Sequence, residues 1–156
     1  MAALSNKLKN SLIDWLLRAQ ALGITGATAA AGTGPATVYV ALFTAAPTDA
    51  GGGTEVTGGS YARVAVTSSL TNWAGTQAAA STTASTGTNG TTSNNLAITF
   101  PAPTANWGSI VAIGIFDAST AGNLLLWGPL TTAKTVNNAD PAPSFAAAAL
   151  SFQIDN

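Results

Sequence analysis

The chain has 156 residues, enough for one domain with a real core. Only 7% of them are charged, where about 25% is ordinary, and five Lys and Arg against six Asp and Glu leave a net charge of −1. Cations this sparse make no phosphate-binding footprint, so nucleic acid is not an expected partner; the lack of cysteine excludes a disulfide framework and thiolate chemistry, and the lack of histidine removes the commonest general base and metal ligand.

Residues 1–24 read as a helical arm. Leu8, Leu12, Trp15, Leu16, Ala19 and Leu22 recur at helical spacing, Ile13 and Leu17 widen this apolar face, Ser5 suits an N-cap, and Gly23 sits where a C-terminal cap belongs. Lys7, Lys9, Asn10, Asp14 and Arg18 are expected on the opposite, solvated side. Asp14 and Arg18 also interrupt the apolar run, which argues for a helix over a signal peptide. No apolar run reaches the length of a membrane span. Residues 25–35, rich in Gly, Ala and Thr, read as a flexible linker. The helix therefore packs on its own domain, or docks on a partner or on copies of itself.

Residues 36–156 are expected to form an antiparallel β-sandwich of about seven strands. Val38–Phe43 is β-branched and aromatic, as a buried strand requires. Pro47, Asp49 and Gly51–Gly53 break it, and Tyr61–Val66 returns as the second arm of a hairpin. Glu55 and Arg63 are placed to pair across that hairpin. Residues 76–95 form an uncharged Ala/Ser/Thr/Gly/Asn excursion. It reads as a disordered surface loop or as an extended segment ordered by a neighbouring subunit. Leu96–Phe100 is a short strand and Ser109–Asp117 the central one. Leu124–Trp127 follows, ended by Gly128-Pro129, then an edge strand Leu130–Val136 and a last strand Phe145–Ile154.

Catalytic signals are thin. Asp49, Glu55 and Asp117 are the carboxylates that a carbohydrate-cleaving domain would use, but Asp49 and Asp117 read better as turn-formers. No phosphate loop or dinucleotide fingerprint is present, and no cofactor or metal is expected. Trp15, Trp73, Trp107 and Trp127 lie far apart in sequence, which favours core or interface packing over a sugar-binding platform.

Five stretches together carry a family signal: ALSNKLKNSLIDWLL, YVALFTAAPTDAGGGTEVTGGSYARVAV, ITFPAPTANWG, GIFDASTAGNLLLWGPLTTAKTVNNAD and SFAAAALSFQID. They cover nearly the whole chain. The pattern resembles small phage and prophage virion proteins, often called tail fibre proteins, some of which look like capsid decoration or cement proteins. Two departures stand out. The linker is longer than the pattern's connection, and FAAAAL stands where the pattern has a glycine, FAAGAL. The resemblance implies a virion structural protein without a catalytic site. The leading expectation is a decoration protein, made in the bacterial cytoplasm, that sits on the outer capsid surface as a trimer and bridges major capsid protein subunits. The alternative is a short head or tail fibre that attaches to the host. Interface contacts are expected from Leu8, Leu12, Trp15 and Leu16 on the helix, from Trp73 and Gln77 near the excursion, and from Tyr61 and Arg63 as exposed hot spots.

Overall fold

The structure, a computed structural model, describes residues 4–23 and 34–154. Nearly all of the expected linker falls outside the described residues. The architecture is mainly β and antiparallel, with one N-terminal helix, as expected.

The helix α1 spans Asn6–Arg18. Ser5 caps it, its hydroxyl accepting from the Leu8 N–H at 3.3 Å. It stops earlier than expected. Ala19, not Gly23, takes the left-handed conformation that ends it (φ 54°), and the Gln20 N–H returns to the Asp14 carbonyl at 3.0 Å.

Nine strands follow among the described residues: β1 Thr37–Ala45, β2 Thr54–Glu55, β3 Val64–Thr67, β4 Thr91–Ser93, β5 Ile98–Thr99, β6 Gly108–Phe116, β7 Leu124–Val136, β8 Ser144–Phe145 and β9 Ser151–Gln153. The main sheet runs β2-β1-β6-β7, with β3 also paired to β1. The most apolar strand, β6, is central, flanked by β1 and β7. β4 pairs with β9, and β5 with β8.

Three strand boundaries differ from expectation for physical reasons. Gly128-Pro129 does not end a strand: β7 runs through it, and Pro129 faces Ala112 in register. β7 lies at the sheet edge, where half of the backbone N–H groups have no ladder partner and proline is tolerated. The mismatch is absorbed next door, as a register shift between Ile110 and Ala112. The last strand is split into β8 and β9 because Ala148 turns left-handed at φ 62°. The second hairpin arm is shorter than Tyr61–Val66; only Val64–Thr67 pairs, which frees Tyr61 and Arg63 from strand alternation.

Contacts group the chain into two compact units that cut across the linear division into arm, linker and sandwich. The first collects the described residues of Met1–Thr37, Thr67–Ala97 and Phe145–Asn156. In it Trp73 is fully buried and lies 6.3 Å, ring to ring, from Phe152. The second unit comprises Val38–Val66 and Ile98–Ser144. One face of its sheet buries Ala41, Phe43, Ala112 and Phe116, with Tyr39, Val111 and Leu124 packed around them. No helix among the described residues is long and apolar enough to cross a membrane.

Candidate functional site

In the second unit the motif residues converge on Arg63. Its guanidinium forms a fork with Glu55, Nε to Oε1 at 2.9 Å and Nη2 to Oε2 at 2.7 Å. Its Nη1 donates to the carbonyls of Ala118 and Ala121, both at 2.8 Å. The guanidinium carbon sits 3.5 Å from the Phe116 ring centre, and Phe116 stacks on Phe43 at 6.2 Å. Only arginine has the planar fork that meets a carboxylate, two carbonyls and a ring face together.

Local structure sets up each contact. Glu55 faces Phe43 in register, which places its carboxylate on the Phe43–Phe116 side of the sheet. Tyr61 donates its hydroxyl to Glu55 at 2.9 Å and accepts the Leu42 N–H at 2.9 Å. Burial pushes the Tyr61 pKa well above the ordinary phenol value, so the group stays a neutral donor. Trp107 meets Tyr61 edge-on at 5.4 Å and donates its indole N–H to the Gly59 carbonyl at 2.9 Å. Gly59 has φ 54°, and a Cβ there would lie 3.0 Å from that indole nitrogen. The turn bearing Ala118 and Ala121 is closed by Asp117, whose two oxygens accept the Asn123 N–H and side-chain amide, both at 2.7 Å. These bonds, the side-chain amide first, hold the Asp117 carboxyl below the usual carboxylate range.

The first unit contains a second arginine clamp. Arg18, fully buried, uses all five N–H donors: Trp73 O at 3.0 Å, Asp14 Oδ1 at 2.5 Å, Ser85 Oγ at 3.0 Å, Ser81 O at 3.3 Å and Thr83 O at 2.5 Å. Asp14 accepts the Ser85 N–H at 2.7 Å and its hydroxyl at 2.5 Å. One turn back, Asn10 donates to Gly87 O at 3.0 Å and accepts from the Thr76 hydroxyl at 2.8 Å. The spacing of four puts Asn10, Asp14 and Arg18 on one helix face. Residues 76–87 of the excursion are therefore held by the chain's own helix and Thr91–Ser93 by pairing with β9, so neither a free loop nor a neighbouring subunit is needed to account for them.

The expected contact residues are placed as follows. Arg63 is only 8% exposed in its side chain and Tyr61 is half-buried, so neither is an exposed hot spot. Trp73 is buried. Gln77 is exposed, but its side chain ties its own loop, donating to Ser81 Oγ and Thr83 Oγ1 and accepting the Thr86 N–H at 3.2 Å. Leu8, Leu12, Trp15 and Leu16 are half-buried; the fully buried helix residues are Ile13 and Leu17, as the widened apolar face leads one to expect, together with Ser11, Asp14 and Arg18. Asp14 and Arg18, expected in solvent, were the residues that residue-type reasoning misplaced. The i, i+4 spacing of an Asp and an Arg was the available signal.

Asp49 holds no turn of its own through its carboxylate. It accepts the Trp127 indole N–H at 3.1 Å, across an open cleft of about 490 Å3 in the second unit. Among the described residues, no group of three or more acidic side chains is placed to hold a metal ion.

No curated protein matches the chain. The family described as Podophage GP4 fiber I protein gp80 matches residues 3–153, which span every element and both arginine clamps. The chain belongs to this family of phage fibre proteins.

Proposed function

We propose that the chain is a non-enzymatic building block of a virion fibre. The family's printed name supports a fibre over a capsid decoration protein. The observation that carries the structural role is what the charged residues do. Asp14 and Arg18 hold the excursion, Glu55 and Arg63 hold the hairpin to the turn after β6, and Asp117 closes that turn. A general acid needs a raised pKa and freedom to meet a substrate. Asp117 is shifted the opposite way, and Glu55 is locked in its fork. In an assembled homo-oligomer, the half-buried stripe of Leu8, Leu12, Trp15 and Leu16 is where additional apolar area would be buried.

Quantitative mass spectrometry of purified virions, with immunogold labelling, tests the reading. A low copy number set by tail symmetry, with label at the tail, is the expected result. Hundreds of copies in a fixed ratio to the major capsid protein, with label over the head, would restore the decoration reading. Absence from the particle would overturn the virion role.

A further inference from the structure

The cleft at Asp49 is built from two turns and a strand. Thr48–Gly51 forms one wall, Gly122 and Asn123 another, and Leu124, Leu125 and Trp127 of β7 the floor. The Thr48 turn is closed by its own backbone, with the Thr48 N–H to Gly51 O at 3.0 Å and the Gly51 N–H to Thr48 O at 2.8 Å. The opposite wall is fixed by Asp117, which holds Asn123 through both its backbone and its side chain. Trp127 is half-buried, and its indole is tethered to Asp49. The cleft thus has a preformed floor and a preformed wall. Its volume lies in the usual range for small-ligand pockets, about 300–1,000 Å3.

Its chemistry is selective. Trp127, with Leu125 and the edge of Leu124, supplies the apolar part of a mostly polar lining. Asp49 uses one oxygen on Trp127, leaving the second without a protein partner among the described contacts. The side-chain oxygen Oδ1 of Asn123 is likewise unpartnered among the described contacts, and the Thr48 hydroxyl, which donates to Gly51 O at 3.0 Å, stands beside them with its lone pairs available. Acceptors around an apolar floor suit a ligand with an apolar face and a rim of hydroxyl donors, which is the chemistry of a pyranose ring. No Lys or Arg lines the cleft, and its one charge is negative, so an acidic sugar would bring like charges together. We propose that this cleft binds a neutral saccharide, with the ring stacked on Trp127 and its hydroxyls donated to Asp49 and Asn123. The site is read from the cleft alone and does not depend on where in the virion the chain sits.

The test is titration of the full chain, 15N-labelled at tryptophan, with methyl glucoside, methyl galactoside, methyl mannoside, N-acetylglucosamine and glucuronate. The Trp127 indole signal is assigned with a Trp127→Phe variant. At least one neutral sugar is expected to shift that signal saturably in the millimolar range, with glucuronate weaker. Asp49→Ala, at an exposed turn position, and Trp127→Ala should each weaken binding at least about tenfold, about 1.4 kcal/mol, read by ligand-observed saturation transfer. Intact folding of both variants is checked by the remaining indole signals. No shift with any neutral sugar at tens of millimolar would overturn the site. So would affinity unchanged in Asp49→Ala, or tighter binding of glucuronate than of methyl glucoside.

Discussion

The two arginine clamps solve the same problem from opposite starting points. Each holds irregular backbone that lacks a ladder of its own. Arg63 gathers two carbonyls of a turn, a carboxylate and a ring. Arg18 gathers three carbonyls, a hydroxyl and a carboxylate. They differ in access to water. The Glu55 carboxylate keeps 23% side-chain exposure, whereas Asp14 keeps 9% and Arg18 none. Burying an ion pair is costly unless its protons and lone pairs find partners; Arg18 uses all five N–H donors and the Asp14 carboxylate accepts three bonds. In a chain so poor in charge, each clamp does the holding that a longer apolar stretch would do elsewhere.

The largest effect is expected from Arg18→Met. It removes five hydrogen bonds and leaves Asp14 buried without its partner, so a loss of about 3–5 kcal/mol is expected in denaturant unfolding. Arg63→Lys should cost less, about 2 kcal/mol, because water can reach Glu55 and Lys keeps the charge while losing the fork. A result in which Arg63→Lys is the more damaging would reverse the ranking of the two clamps.

A smaller effect, of opposite sign, is expected at Ala148. The virion-protein pattern has glycine at this position of FAAAAL, and the structure gives Ala148 φ 62°. A left-handed alanine costs roughly 1–2 kcal/mol, partly offset by glycine's larger unfolded-state entropy. Ala148→Gly should therefore raise stability by about 0.5–1 kcal/mol, visible as a higher midpoint of thermal unfolding.

The smallest effect concerns pH. The Asp117 pKa is depressed in the folded chain by the Asn123 side-chain amide and then by its backbone N–H. Its contribution is fully present above the unfolded carboxylate value, about 3.9, and is lost as pH falls through the lower folded value. Asp117→Asn should flatten the acid limb of the stability profile and leave the neutral range nearly unchanged. An acid limb as steep as that of the parent chain would remove Asp117 from the account.

Much of the second unit is legible in the sequence, because its signals are local and its motifs dense. The β-branched run of β1, the apolar run of β6 and the Glu55–Arg63 pairing each follow from residue type and spacing. The first unit is harder to read. Thr76, Ser81, Thr83, Ser85 and Gly87 carry no periodicity, and their order comes from helix residues more than sixty positions away. A hydrophobic stripe also misleads here: the face that binds the excursion is polar, so Leu8, Leu12, Trp15 and Leu16 mark the half-buried side. Ala19 and Ala148 hide turns, because alanine in the left-handed region gives no compositional cue. The Asp49–Trp127 tether joins two turn-and-strand segments 78 positions apart, and no local pattern announces it.

Amide hydrogen exchange of the purified chain, under conditions where sedimentation shows a monomer, reports whether the helix alone holds the excursion. Thr76, Ser85, Thr86 and Gly87 all donate their N–H to side chains, and Ser85 donates to Asp14 of the helix. Protection is expected at Thr76, Ser85, Thr86 and Gly87 in the monomer, with its loss in Arg18→Met at pH and temperature where the β1–β6 pairing stays protected. Exchange of these four amides at the rate of an unstructured peptide in the parent monomer would contradict the helix-held excursion, and would return it to a segment that only a neighbouring subunit can order.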